Sequence, residues 1–183
     1  MDKIKAILDN YNLKEIVKID PKTVRVTEDV RAACEKNDCG QYGKNYMCPP
    51  HLGPLEECKE MIYSYEKGVL FSQVHFFKNR QEYKHYDDII KSFTKINDKI
   101  HREIRKSGID GKVLSAGGCT LCKTCGLLED LPCRFPEDAK PSLEGCGVDV
   151  VHLSKATGLV YNNGPKSITI IGMVLYNDEI DEI

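Results

Sequence analysis

The sequence predicts an α/β fold: a single-domain sandwich with a central mixed sheet, helices packed on it, and cysteine-rich cluster-binding loops at one edge. Three observations carry this. The runs Val69 to Phe77 (V-L-F-S-Q-V-H-F-F) and Ser167 to Tyr176 (S-I-T-I-I-G-M-V-L-Y) are apolar enough to be strands buried in mid-sheet. Between them, Tyr86, Ile89, Ile90, Phe93, Ile96, Ile100 and Ile104 repeat at helical spacing and mark one long amphipathic helix. Helical and extended segments alternate along the chain, while most cysteines fall in two irregular stretches, 34–50 and 119–136.

Taken in order, Ile4, Ile7, Leu8 and Tyr11 predict a first helix from Asp2 to Tyr11. Glu15 to Asp20 and Thr23 to Val26, separated by Pro21-Lys22, read as two short strands or one hairpin. Thr27, followed by Glu28 and Asp29, is placed to cap a short helix leading to Cys34. A helix follows Pro54 and runs to about Tyr65, with Cys58 on its apolar face as a core residue. The long helix is expected over Glu82 to Lys106, ended by Gly108. Lys112 to Ala116 is a short buried strand that hands the chain through Gly117-Gly118 to Cys119. Ser142 is a candidate cap for a helix reaching Thr157, with Gly158 closing it, and Asn162 to Pro165 is a turn. The acidic tail from Asn177 is expected to fray.

The 183 residues suffice for one buried core and do not force a second domain. With 41% hydrophobic and 30% charged residues and a net charge of −2, the composition argues against a broad surface for nucleic acid. The N-terminus lacks the apolar core of a signal peptide and no apolar run approaches membrane-spanning length, so a cytoplasmic protein without a membrane partner is expected. In that compartment nine cysteines are better explained by metal ligation than by disulfides.

Cys119, Cys122, Cys125 and Cys133 lie within C-T-L-C-K-T-C-G-L-L-E-D-L-P-C-R-F-P. A Cys-x2-Cys-x2-Cys run lets one short loop present three thiolates to a compact inorganic core, as cubane iron-sulfur clusters are held, whereas zinc usually draws on two separated Cys-x2-Cys pairs. The second set, Cys34, Cys39 and Cys48, is spaced Cys-x4-Cys-x8-Cys. Gly40 and Gly43 permit its tight turns, and Pro49-Pro50 after Cys48 predicts a stiff extended arm. Seven thiolates suit two [4Fe-4S] clusters, one short of a ligand. Cys133 either completes its own cubane or crosses to the Cys34 set, and Cys146, close in sequence and at a helix start, is the reserve ligand. Arg31, Lys36 and Lys44 near one set, and Lys123 and Arg134 near the other, are candidates to raise the cluster potentials. Tyr42, Tyr46 and His51 are either proton donors to a bound substrate or residues that pack and cap the loop.

Together, Cys34, Cys39, Tyr42-Gly43, Cys48-Pro49-Pro50, C-T-L-C-K-T-C, P-C-R-F-P-E and P-S-L-E-G-C-G-V-D-V resemble a cysteine-rich prokaryotic family of predicted metal-binding proteins of unknown function, from about Arg31 to the end of the chain. The resemblance implies metal or iron-sulfur binding by the seven loop cysteines in anaerobic metabolism, and it supplies no reaction. Three functions follow as expectations. The first is an iron-sulfur protein with two [4Fe-4S] clusters, exchanging electrons with an unidentified redox partner. The second is an enzyme whose three-cysteine cluster keeps an open iron for a small-molecule substrate, in a reduction or a sulfur removal. The third is a zinc-stabilised interaction module. No catalytic residue beyond the clusters is identified, and no phosphate loop, dinucleotide fingerprint or Ser-His-Asp pattern supports another chemistry.

Overall fold

Each apolar run forms a strand or helix that buries its stripe, and the resulting computed structural model describes residues 3–177. In chain order the elements are α1 (Lys3–Leu8), β1 (Glu15–Ile19), α2 (Glu28–Ala33), α3 (Leu55–Tyr63), β2 (Lys67–Phe76), α4 (Tyr86–Lys106), β3 (Gly111–Leu114), α5 (Val150–Thr157) and β4 (Ser167–Tyr176). Residue 2 of the expected first helix, and the tail beyond Asn177, lie outside the described residues. Among those described, no helix is long and apolar enough to cross a membrane.

The four strands form one sheet in the order β1-β2-β4-β3, and every pair is antiparallel. The expected mixed sheet is therefore corrected. β2 and β3 do run the same way, joined by α4, but β4 occupies the slot between them, so no parallel pair forms. β4 claims that central slot because both its faces are apolar. Ile170, Val174 and Tyr176 join one core cluster, and Ile171, Met173 and Leu175 join the other.

Those clusters are the two faces of the sheet. On one, α1 and α4 cover Val69, Phe71 and Val113 with Ile4, Leu8, Phe93, Ile100 and Ile104. On the other, α3 and α5 cover Leu70 and Leu114 with Cys58, Ile62 and Leu153. Phe71 pairs across the ladder with Gly172, and a Cβ on that glycine would stand 2.3 Å from the Phe71 ring and 2.8 Å from Asn97 Oδ1. Gly172 thus makes the room in which Phe71 packs on Phe93, ring centroids 5.9 Å apart. Gly172→Ala overpacks this site, and a loss of about 1–3 kcal/mol in urea unfolding is expected. An unchanged midpoint would contradict the packing.

Local chemistry explains the other departures. Thr23 to Val26 is not a strand: Pro21–Thr23 is a 3-10 turn capped by Asp20, and only Val26 bridges, antiparallel, to Val148. The long helix starts at Tyr86 instead of Glu82, because Asn79 accepts from the Gln81 and Glu82 amides and sets a 3-10 turn over Arg80–His85. Thr27 does cap α2, accepting from the Val30 amide, and α2 delivers the chain to Cys34. The last helix begins at Val150, with Asp149 as its cap, not at Ser142. Pro49-Pro50 is no extended arm: the peptide between them is cis and the chain turns there.

Candidate metal centre

The end of edge strand β3 is where the cysteine loops come together. Ser115 bridges in parallel to Ser142, with hydrogen bonds from the Ser115 amide to Pro141 O (3.1 Å) and from the Leu143 amide to Ser115 O (3.0 Å). Helix α4 fixes the same point, since Asn97 Nδ2 donates to Ser115 Oγ (3.0 Å) and Thr94 Oγ1 to Ala116 O (3.4 Å). Cys119 is therefore launched from a held segment. On the opposite side, Ser142 receives the second loop. Its amide donates to Met47 O (3.1 Å), and the Cys48 thiol lies 3.9 Å from its hydroxyl. The Tyr46 hydroxyl donates to Leu131 O (2.9 Å), so the loops of residues 34–50 and 119–136 are in direct contact. Tyr46 thus staples the loops, and its ring meets His51 edge-on at 6.4 Å.

Cys119, Cys122, Cys125 and Cys133 line one cavity of about 190 Å3. The Gln41, Lys44, Asn45, Tyr46 and Met47 segment of the other loop forms part of its wall. Cys133 thus stands with its three sequence neighbours despite its irregular spacing. Gly126 makes that possible: a Cβ there would lie 2.6 Å from Pro132 O and 2.8 Å from Leu131 O, so the chain leading to Cys133 folds back directly over the glycine. Arg134 clamps the loop from outside, donating to Thr124 O (2.9 Å) and pairing with Glu129 and with the Cys122 sulfur. Beneath it, buried Lys140 pairs with Asp98 of α4, and the charges of both act on Cys119.

The second set is more open. Cys34 is half-buried at the end of α2, Cys39 is exposed, and Cys48 is buried. Their charges act on one another: Cys39 acts on Cys34, and both act on Cys48. Asn37, in the left-handed region at φ 54°, accepts the Tyr42 amide and turns the loop between Cys34 and Cys48. Arg31 stands beside this set as expected, its charge acting on Cys34, while Lys44 lies on the wall of the Cys119 cavity.

Cys146 is placed elsewhere. It is fully buried in the core with Cys58 and hydrogen-bonded to it, and that bond, then burial, pushes its thiol well up. The turn that follows Ser142 directs position 146 into the core. Glu144, which the sequence did not single out, sits in the same turn, and its carboxylate acts on Cys34, Tyr86 and Tyr161. Burial pushes the Glu144 carboxyl up. Only the P-S-L-E-G-C-G run pointed at this segment, and no spacing rule distinguishes its carboxylate from a solvated one.

Two orphaned donors test whether these residues fit an anionic metal cluster. Thr120 Oγ1, between Cys119 and Leu121, and Arg31 Nη1, beside Cys34, are buried without a hydrogen-bond partner among the described residues. A buried unmade donor costs about 1–3 kcal/mol, and thiolates or sulfides at either site would satisfy it. The residues fit. Among the described residues, no three His, Cys, Asp or Glu side chains converge to hold a single metal ion.

Burial pushes the thiols of Cys34 and Cys119 up and that of Cys48 up to about 11. In the metal-free chain these groups are protonated at neutral pH, so metal must displace their protons. Ferrous-iron affinity, measured by chelator competition, is expected to rise by at least about tenfold per pH unit from pH 6 to 8. A flat profile would contradict ligation through thiolates that give up their protons.

Residues 17–176 match the model of the family described as predicted metal-binding protein (DUF2284). No curated protein and no solved structure matches the chain. The matched span contains all seven loop cysteines together with the strands and helices that position them, and the chain belongs to this family of predicted metal-binding proteins.

Proposed function

We propose that the chain is an iron-sulfur protein with two [4Fe-4S] clusters. One is held by Cys119, Cys122, Cys125 and Cys133, the other by Cys34, Cys39 and Cys48. It exchanges electrons with a redox partner in the anaerobic metabolism of the cytoplasm, where thiols stay reduced. The observation that carries the reading is the cavity with four cysteines on its wall. Its volume of about 190 Å3 leaves room for a group of several atoms among the four thiols. When bound, such clusters supply one-electron exchange. The chain contributes the thiolates, the Thr120 and Arg31 donors, and the Lys140 and Arg134 charges that favour the reduced, more negative form.

A second reading is favoured by the exposure of Cys39 and the three-thiol count of its set. A small-molecule substrate would then bind at the Cys34 cluster and be reduced, or lose sulfur, with electrons arriving from the Cys119 cluster through the touching loops. Dithionite reduction of anaerobically purified protein, followed by electron paramagnetic resonance, tests the redox core of both readings. About two spins per chain are expected, one per cluster. A silent spectrum from metal-loaded protein would overturn it.

A further inference from the structure

The wall of the cavity that the four loop cysteines line carries large apolar side chains that face water. Leu128, Leu131 and Phe135 are 57%, 47% and 45% exposed, so three of the nine large apolar side chains exposed among the described residues fall within eight positions of one loop. Leu128 and Phe135 lie on the wall itself, and the Leu131 carbonyl accepts the Tyr46 hydroxyl that ties this loop to the other. Fraying does not explain them, because the backbone beneath is held. The Leu128 amide donates to Cys125 O (3.1 Å), the Leu131 amide to Gly126 O (2.9 Å), and Phe135 O takes the Asp138 and Ala139 amides (3.1 and 2.9 Å). A clustered apolar patch on a held surface marks an interaction site.

Charge on the wall has one sign. Lys44, Lys123 and Arg134 line the cavity, and no carboxylate does. The carboxylates of residues 119–138 are mostly taken: Glu129 pairs with Arg134, Glu137 with Arg105 (3.9 Å), and Asp138 with Arg105 and Arg102 (2.8 and 3.5 Å). Asp130, the remaining one, stands off the wall. Lys44 and Lys123 are exposed and have no ion-pair partner among the described residues. Unpaired lysines around an apolar centre steer an acidic partner to the patch. Three apolar side chains suit the small contact, below about 1,200 Å2, of a transient electron-transfer pair.

We propose that Leu128, Leu131 and Phe135, with Lys44 and Lys123 beside them, form the docking surface for an acidic one-electron carrier protein, the redox partner of the Cys119 site. The inference rests on the iron-sulfur reading above. One electron passes from the reduced chain to the oxidised carrier, so the chain is oxidised and the carrier reduced, with no bond made or broken. The apolar side chains exclude water where the carrier sits, and the lysines set which carriers arrive.

The test uses the full chain, reconstituted anaerobically with iron and sulfide, with cytochrome b5 as the acidic probe and cytochrome c as the basic one. Zero-length carbodiimide cross-linking of the loaded chain is expected to join cytochrome b5 carboxylates to Lys44 and Lys123. Links spread over other lysines instead would overturn the proposal. In stopped flow, with the chain reduced and freed of excess dithionite, the rate constant for reducing cytochrome b5 is expected to fall about tenfold or more between about 0.05 M and about 0.5 M NaCl. Lys44→Glu/Lys123→Glu is expected to slow that transfer about tenfold at low salt and to speed the reduction of cytochrome c. The opposite signs separate docking from redox tuning, since losing two cations lowers the potential and by itself would speed both transfers. Leu128→Ser/Phe135→Ser is expected to slow both carriers at unchanged iron content. Equal rates in wild type and the lysine variant, or a wild-type dimer in sedimentation that Leu128→Ser dissolves, would overturn the docking surface and leave the clusters standing. Reconstituted wild type without bound sulfide or dithionite-bleached absorption would overturn the iron-sulfur reading and this surface with it.

Discussion

A Cys133→Ala chain is expected to lose about half its iron, roughly four atoms of eight, because Cys133 lines the same cavity as Cys119, Cys122 and Cys125. Its spacing alone allowed a different role, as a ligand that crosses to the Cys34 set. The two assignments separate in a double-mutant comparison. If Cys133 and Cys119 serve one cluster, the Cys119→Ala/Cys133→Ala chain retains as much iron as either single variant, since residues acting as a unit are not additive. If Cys133 serves the other cluster, the double variant loses both and its iron falls towards zero. Acid-labile sulfide on the same samples should follow the iron.

Lys140→Ala is expected to cost about 3–5 kcal/mol of folding stability, the largest effect predicted for any residue that is not a ligand. The Lys140 side chain is 3% exposed and that of its partner Asp98 12%, so removing the amine leaves a carboxylate buried beside Cys119 without its counter-charge. Replacing both, as Asp98→Leu/Lys140→Met, should recover most of the loss, because an apolar pair leaves no uncompensated charge. Chemical denaturation of the metal-free chains measures both. A single-variant loss below about 1 kcal/mol would show that water reaches the pair.

The sheet was legible because its central strands declare themselves: β2 and β4 are apolar on both faces, and α4 carries a stripe over its whole length. Strand order was not legible. β4 enters between β2 and β3 after some fifty residues of loop and short helix, and periodicity holds no information on which neighbour a strand selects. The cysteines were found by spacing, and Cys58 was assigned correctly to the core because it falls on the apolar stripe of α3. What spacing could not give is which residues from distant segments converge. The Tyr46 to Leu131 contact and the Ser142 hub depend on chain crossings 85 and 94 residues apart. Glu144 and Lys140 are ordinary charged residues in the sequence; burial beside Cys119 marks Lys140, and the turn after Ser142 places Glu144. Ser142 was read as a helix cap for a sound local reason. Its hydroxyl does take an amide, that of Gly145, but in a turn that Gly147, at φ 71°, ends.

The central claim is that two cysteine sets, in contact at the end of β3, hold two cubane clusters. Iron, sulfide and zinc content of protein purified without oxygen measures it most directly. Two cubanes require about eight irons and eight sulfides per chain with little zinc. Stoichiometric zinc without sulfide would contradict the claim and leave the loops as a structural zinc module.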